Sequence, residues 1–358
     1  MAFFNWVAQE QKLTNAALTV LVQTIDPNNL DELTWPVFFP RQTVNSVKMS
    51  TITPVIPTRF VSDRREWNAR GRYIPQEFPG TAELEMVPIE SFFNMGEREV
   101  QHLLEQLRGN QDMFRREVMV TVPDRTRQLA LANWRRVEVD TMNSWATGQV
   151  TARNPVTGTT YTASYNFAAS RYQVAGVPWT GGPGGTAYNN LLAWLRQGID
   201  MGMTFQGIMT RSTTRNAVIS SAPNTRYPLS PDGRFTPLIG DVEARIQDEL
   251  QIAFNFYLNE RSVDIFPDGG ITTVATKLWP GQTIAAIPAG ETVGYTALAP
   301  VARAYDVSAV APEAEIDING MTVYQEVGGN GRWLNVECQV NALPVPLERN
   351  VWVMNTGV

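Results

Sequence analysis

The stretch "DRTRQLALANWRRVEVDTMNSWATG" (124–148) constrains this 358-residue chain more than any other. Leu131, Trp134, Val137, Thr141 and Trp145 recur at spacings of three and four, so they line one face of an α-helix. Arg127, Arg135, Glu138 and Asp140 fall largely elsewhere on it. Pro123 and Asp124 open the helix, and Gly148 is placed just past its end. About 24 residues give roughly 36 Å at ~1.5 Å per residue. That exceeds the average globular helix, so a body has to be built along it.

The flanking segments alternate between compact and extended readings. Residues 1–50 read as an arm. Within it "KLTNAALTVLVQ" (12–23) predicts a modest helix with Leu13, Ala17, Val20 and Thr24 on one face. Pro27, Pro36 and Pro40 then interrupt any regular element. Trp35, Phe38 and Phe39 lie between them and must be buried, in their own domain or on a neighbour. "RFVSDRREW" (59–67) and "TAELEMVPI" (81–89) alternate like strands around a tip broken by Gly71, Pro75, Pro79 and Gly80. This is a long two-stranded finger without an evident core. "NMGEREVQHLLEQLRG" (94–109) predicts a helix capped by Asn94 and Glu97, striped by Val100, Leu103, Leu104 and Leu107, and stopped by Gly109.

After the long helix, "QVTARNPVTGTTYTASYNF" (149–167) reads as a hairpin. The Gly-rich "VPWTGGPGGTAYNN" (177–190) reads as a flexible boundary. A helix at 188–201 turns Leu191, Leu192, Leu195 and Ile199 inward. A strand and a helix capped by Ser212 follow, then a helix capped by Asp241, and strands and turns from 261 onward. The class is mixed α+β.

Composition closes several routes to function. With 43% hydrophobic residues and ten tryptophans the chain is not disordered. A net charge of −6 excludes a protein that coats nucleic acid along its whole surface. Lys12, Lys48 and Lys277 are the only lysines among 29 basic residues. Arginine dominance suits planar pairing and protein interfaces. "FRREV" (114–118) and "RRVEVD" (135–140) mix both signs and read as solvated helix faces. Cys338 stands alone, which excludes an intrachain disulfide and a thiolate metal cluster. The start "MAFFNWVAQEQK" lacks a secretory pattern, and no apolar run reaches 18 residues, so the chain reads as intracellular, soluble and not membrane-bound. His102, the single histidine, reads as structural, with no nucleophile elbow in view. "TGGPGGT" (180–186) lacks the lysine of a phosphate loop, and "EAEIDING" (313–320) reads as a strand ending in an Asn-Gly turn. No catalytic residue, metal site or cofactor is expected.

The order of these elements resembles the major capsid proteins of tailed bacteriophages, the Hong-Kong-97 fold, and most closely their lambda-type branch. "SDRREWNARGRYIPQEFPGTAELEMVPIESFF" is similar to that family's E-loop, and "PDRTRQLALANWRRVEVDTMNSWATGQVT" to its spine helix and following hairpin. "FQGIMTRSTTRNAVISS" resembles a strand–helix step of the axial domain. "IAAIPAGETVGYTALAPVARA" resembles that domain's turn and strand, with Pro288-Ala289-Gly290 and Gly294-Tyr295 as a loose match. "NALPVPLERNVWVMNTGV" resembles the closing strands. The resemblance implies an N-terminal arm at 1–57, an E-loop at 58–93 and a peripheral domain at 94–178 with a spine helix near 124–147. It further implies an axial α/β domain at 179–330 and closing strands at 331–358 that return to the peripheral domain.

The implied function is that of a structural, non-enzymatic subunit of an icosahedral shell enclosing double-stranded DNA. It would assemble in the host cytoplasm and reside in the virion. Its implied partners are copies of itself in pentamers and hexamers, a portal, packaged DNA, a separate scaffolding protein and a decoration protein. A finger without a core becomes sensible if it lies across the next subunit, where Arg64, Arg65, Arg70, Arg72, Glu77, Glu83 and Glu85 find partners. Trp35, Phe38 and Phe39 are the expected contacts of the arm. Some members weld their shells through an E-loop lysine. No lysine lies between Lys48 and Lys277, so contact without covalent bonding is expected. Some members carry a scaffolding segment before the finger; here the finger begins by about residue 58, hence the separate scaffolding protein. Arg127, Arg135, Arg136 and the arm are the candidate contacts to DNA. The competing readings are a tail-tube or decoration protein, and a carboxylate-based hydrolase such as a glycosidase, which needs two acids ~5–9.5 Å apart.

Overall fold

The computed structural model describes residues 4, 6–7, 10–51, 82–107, 110–153, 160–182, 184–223, 238–265, 274–311, 314, 316–329 and 331–358. In chain order the first half contains α1 (Asn15–Gln23), α2 (Trp35–Phe38), β1 (Arg41–Thr43), β2 (Lys48–Thr51), β3 (Ala82–Glu85), β4 (Ile89–Met95), α3 (Glu97–Gln106) and α4 (Gln111–Thr147). Next come β5 (Gln149–Arg153), β6 (Thr160–Ser164), β7 (Tyr172–Val174), α5 (Ala187–Asp200), β8 (Phe205–Thr210), α6 (Ser212–Ser221) and α7 (Ile239–Leu250). The last stretch has β9 (Asn255–Leu258), β10 (Ser262–Ile265), β11 (Val274–Lys277), β12 (Thr283–Pro288), β13 (Gly294–Ala299), α8 (Ala302–Val310), β14 (Thr322–Gly328), β15 (Trp333–Pro346) and β16 (Val353–Asn355). Two compact units result, one from residues 1–49, 85–141 and 295–345, the other from 50–84, 142–294 and 346–358.

The first unit is organised by α4. Phe114, Val118, Val122, Thr126, Ala130, Trp134, Val137 and Thr141 step along it by three or four residues and are all buried. The helix begins at Gln111, thirteen residues before the expected Asp124, and runs through Pro123. A proline inside a helix costs about 3 kcal/mol, because it lacks the N–H and crowds the preceding turn. The apolar stripe continues unbroken across Pro123 and outweighs that cost. Asn110 starts the helix, its Oδ1 accepting from the Asp112 and Met113 N–H groups, each at 3.1 Å.

Beside α4 lies a sheet in the order β1-β13-β15-β14, with β4 also paired to β15. β4 and β15 run antiparallel from Ile89↔Val340 to Met95↔Leu334. Leu334, Val336, Cys338 and Val340 alternate into the core. Asn133 Nδ2 donates to the Cys338 carbonyl at 3.0 Å, and Ser91 Oγ to that of Leu129 at 3.3 Å, which seats helix on sheet. Asn94 belongs to β4 opposite Asn335, so it does not cap α3; the residue before that helix is Gly96.

α1 packs on β14 through a face other than the expected one. Leu18, Thr19 and Val22 are buried, while Val20 is half-exposed. Thr19 explains the difference. Its hydroxyl donates to the Val323 carbonyl at 3.3 Å and accepts from the Val323 N–H at 3.0 Å. A fully bonded hydroxyl can be buried at little cost.

In the second unit the sheet order is β7-β16-β12-β8-β9. Leu191 and Leu195 of α5, Val218 of α6 and Ile246 of α7 share a core with Ile208, Ile284, Ala286 and Trp352. Trp194 and Trp352 stack at 6.0 Å, and Trp352 Nε1 donates to the Trp194 carbonyl at 3.2 Å. Gly198 is required there, since a Cβ would lie 2.6 Å from the Phe205 ring. Trp145, from the last turns of α4, meets Trp279 edge-on at 5.3 Å. Gly148 ends α4 at φ +69° with the Tyr172 ring 2.9 Å from where a Cβ would stand, as the Gly signal led us to expect. The 149–167 hairpin forms as β5–β6.

Two caps differ from expectation. Ser212 is the first residue of α6, not its cap; its N–H is taken by Glu260 Oε1 at 2.6 Å. That bond, foremost, holds the Glu260 carboxyl below its ordinary range. Asp241 sits inside the first turn of α7, where its charge still complements the helix dipole. Before β14, a turn at Asp317–Gly320 closes with a 3.0 Å bond, and Glu313 and Glu315 lie outside the described residues.

Candidate inter-subunit contact site

The finger is described at its base alone. β2 and β3 pair as a two-stranded sheet, so the pairing reaches down to Lys48, below the expected lead-in at 59–67. Just beyond β3, the Met86 N–H donates to the Val47 carbonyl at 2.9 Å. Met86 is buried, and Pro88 separates β3 from β4, where the chain enters the sheet of the first unit. Arg64, Arg65, Arg70, Arg72 and Glu77 lie outside the described residues. Glu83 and Glu85 are placed on β3.

The arm aromatics go to one of the two homes their sequence left open. Trp35 and Phe39 are fully buried within the first unit, and Phe38 is half-buried. Trp35 lies 5.8 Å from Trp134 of α4. Rings with no exposed surface offer none to a second copy. Val37, 73% exposed, is the outward apolar residue of α2.

Glu138 makes this burial possible. Its carboxylate accepts from the Thr34 N–H at 3.2 Å, the Thr34 hydroxyl at 2.5 Å and the Trp35 N–H at 2.9 Å. The start of a helix has N–H groups without intrahelical partners and carries partial positive charge, so an anion is favoured there. Glu138 is buried, and so is Asp140, which corrects the reading of "RRVEVD" as a solvated face. Arg136 approaches Asp140 to 2.8 Å. Burial outweighs that attraction and pushes the Asp140 carboxyl up to about 6.

The arginines proposed for DNA are engaged inside the chain. Arg127 pairs with Asp124 at 3.5 Å, Arg135 with Glu32 at 2.8 Å and Arg136 with Asp140 at 2.8 Å. Arg115 lies over Trp6 and Arg125 over Phe93, each at 5.6 Å. Arg127, Arg135 and Arg136 thus have acidic partners, and Arg115 and Arg125 lie against rings.

The groups screened for chemistry take structural places. His102 is exposed on α3 and meets Gln106 Nε2 at 3.2 Å. Cys338 is buried in β15, and burial pushes its thiol up to about 12, which leaves it unreactive. The Gly-rich passage is tied down. Gly182 N–H donates to Ser220 Oγ at 2.8 Å, and the Thr180 and Thr186 N–H groups each donate to the other's hydroxyl, at 3.2 and 3.1 Å. A Cβ on Gly181 would sit 3.0 Å from the Ala217 Cα, so the loop lies tight against α6. Among the described residues no group of three His, Cys, Asp or Glu side chains could hold a metal, and no helix is long and apolar enough to cross a membrane.

No family model and no curated protein sequence matches the chain. Solved structures do. A crystal structure assigned as the capsid protein of a prophage (E. coli CFT073) aligns at TM-score 0.54 and 12% identity, over 94% of this chain and 97% of that one. A phage-related protein of Bordetella bronchiseptica RB50 aligns at 0.46 and 11% identity, over 95% and 96%. The capsid of Myoviridae phage XM1 aligns at 0.42 and 12%, over 86% and 85%. Of these three only the first exceeds 0.5, and at that identity the likeness is one of fold. The chain has a mixed α+β fold of the Hong-Kong-97 type, with α4 as its long helix, as the order of elements led us to expect.

Proposed function

We propose that this chain is the major head protein of a tailed bacteriophage, of the lambda-type branch of its fold. In this reading pentamers and hexamers of the chain tile an icosahedral shell around double-stranded DNA, in the virion. The observation that carries the reading is the end-to-end likeness to the prophage capsid protein, which leaves neither chain with a large unmatched part. The β2–β3 hairpin base supports it from inside the molecule. Two short paired strands cannot stand alone in water, and a hairpin needs a third strand or a packed face. A neighbouring copy supplies that face to the finger, through Arg64, Arg65, Arg70, Arg72, Glu77, Glu83 and Glu85. Each exposed ion pair contributes about 0–1 kcal/mol, and their number, repeated around a shell, gives the stability.

The sheet and helices α5–α7 of the second unit correspond in this reading to the axial domain, and the body around α4 to the peripheral domain. A separate scaffolding protein sets shell size, a decoration protein strengthens the shell, and a portal occupies one vertex. With Arg127, Arg135 and Arg136 paired to acids, DNA is enclosed by the shell more than gripped by that helix.

Electron microscopy of the full chain, expressed alone and with its neighbouring gene products, tests the reading. Closed shells are expected. Tubes, isolated trimers or monomers under every condition would overturn it. Shells boiled in detergent should run as single-chain bands, because the finger has no lysine for a covalent weld.

A further inference from the structure

An open cavity of about 470 Å³ lies in the first unit, where β4 runs into α3. It is lined by Phe92 and Asn94 of β4, Glu97 at the start of α3, and Arg332, Trp333 and Asn335 from the entry into β15. Phe92 is 67% exposed. The Trp333 ring lies against the backbone of Gly328, where a Cβ would stand 1.8 Å from it, so that wall is fixed. Glu97 and Arg332 are exposed, and neither forms an ion pair with a described residue. Two rings beside a carboxylate suit an incoming guanidinium, which stacks on the rings as it pairs with the acid. Arg332 offers the same cavity a place for an acid.

Charge and reach identify the occupant. Residues 52–81 carry five arginines against three acids, in a chain whose net charge is −6. The sheet beside the cavity carries acids. Glu90 is exposed on the same side of β4 as Phe92, and exposed Glu326 of β14 stands opposite Asn335. In "RREW" (64–67) the alternation of a strand puts Arg64 and Glu66 on one side, which supplies one charge of each sign. Extended, the chain from Thr51 to Arg64 would span roughly 43 Å. From Met86, at the base of the finger, to Asn94 is at most about 29 Å. An extended finger therefore carries Arg64 past the cavity of its own chain, and the cavity it enters belongs to a second copy.

We propose that this cavity receives the finger of a second copy, with Arg64 between Phe92 and Trp333 and against Glu97, and Glu66 against Arg332. This rests on the shell reading and names the surface that the finger engages.

The test uses the full chain under conditions where the wild type assembles. Glu97→Arg sets like charges against each other across the contact, and the subunit concentration needed for shells should rise about tenfold or more. Adding Arg64→Glu should restore assembly. The swapped chain keeps Glu97→Arg, so its recovery separates the contact from any loss within α3. In a second experiment Arg64→Cys and Glu97→Cys are combined, and assembled shells are treated with a short bismaleimide. Cys338 is buried and does not compete. Boiled in detergent, these shells should give a ladder of linked chains. Normal assembly of Glu97→Arg, a failure of Arg64→Glu to rescue it, or single-chain bands after cross-linking each overturn the docking and leave the shell reading intact. A wild-type chain that forms no shells removes both.

Discussion

Residues 34–39 and 172–177 are two short apolar stretches with opposite fates. In the first, Trp35 and Phe39 are sealed within their own unit. In the second, Val174 and Val177 face outward. The difference lies in the polar backbone around them. The N–H groups of Thr34 and Trp35 meet the Glu138 carboxylate, so that segment can fold flush against α4. β7 ends its sheet, paired with β16 among the described residues, and its outward Tyr172 N–H goes to the nearby Ala169 carbonyl, so nothing draws Val174 and Val177 inward. An apolar segment turns inward where a distant group satisfies its backbone, as Glu138 does, and stays at the surface where its partners are local.

The sharpest way to break the comparison is Trp35→Ala. It removes a fully buried ring from contact with Trp134 and should destabilise the first unit by about 3–5 kcal/mol. Chemical denaturation of the dissociated subunit measures this. A loss below about 1 kcal/mol would show that the ring does not anchor the arm. Glu138→Ala should come next, at about 2–4 kcal/mol, because it strands two N–H groups and a hydroxyl at a buried helix start. Glu138→Gln keeps an oxygen for one N–H and should recover part of the loss.

Asp140 sharpens the same comparison through pH. Its folded carboxyl titrates near 6 against 3.8 for the free group, so the fold disfavours the ionised form. The penalty is absent below about pH 4, grows between 4 and 6, and is complete above 6. Asp140→Asn should therefore stabilise the subunit at pH 8 by about 3 kcal/mol and leave it unchanged at pH 3.5. A gain that does not depend on pH would mean that the penalty is not one of ionisation. Arg136 loses this ion pair in the variant but is exposed enough to hydrate.

Much of the fold was legible because periodicity reports burial directly. The stripe of Trp134, Val137, Thr141 and Trp145, the inward leucines of α5 and the β5–β6 hairpin all emerged from spacing. Several errors come from polar groups whose surroundings the local sequence does not show. Thr19 turned α1 because Val323 bonds its hydroxyl, some 300 positions away. Glu138 looked solvated because its partners, Thr34 and Trp35, are distant in sequence, and Asp140 because its burial comes from packing that its local pair with Arg136 does not reveal. Pro123 suggested a helix start, yet Phe114, Val118 and Val122 already carried the stripe before it. The base of the finger pairs β3 with β2 at 48–51, and its expected lead-in at 59–67 lies outside the described residues, as do Arg64, Arg65, Arg70, Arg72 and Glu77.

The smallest expected effect is the most discriminating. Val174→Thr keeps the β-branched shape and adds a hydroxyl that water can solvate at an exposed site. The subunit should unfold within about 0.5 kcal/mol of the wild type, as surface substitutions do. Chemical denaturation of the dissociated subunit measures this. A variant that lost stability instead would place Val174 among the buried residues of its own unit, and the contrast with Trp35 would disappear. Unchanged stability separates the two stretches into one that builds the subunit and one that lies at its surface.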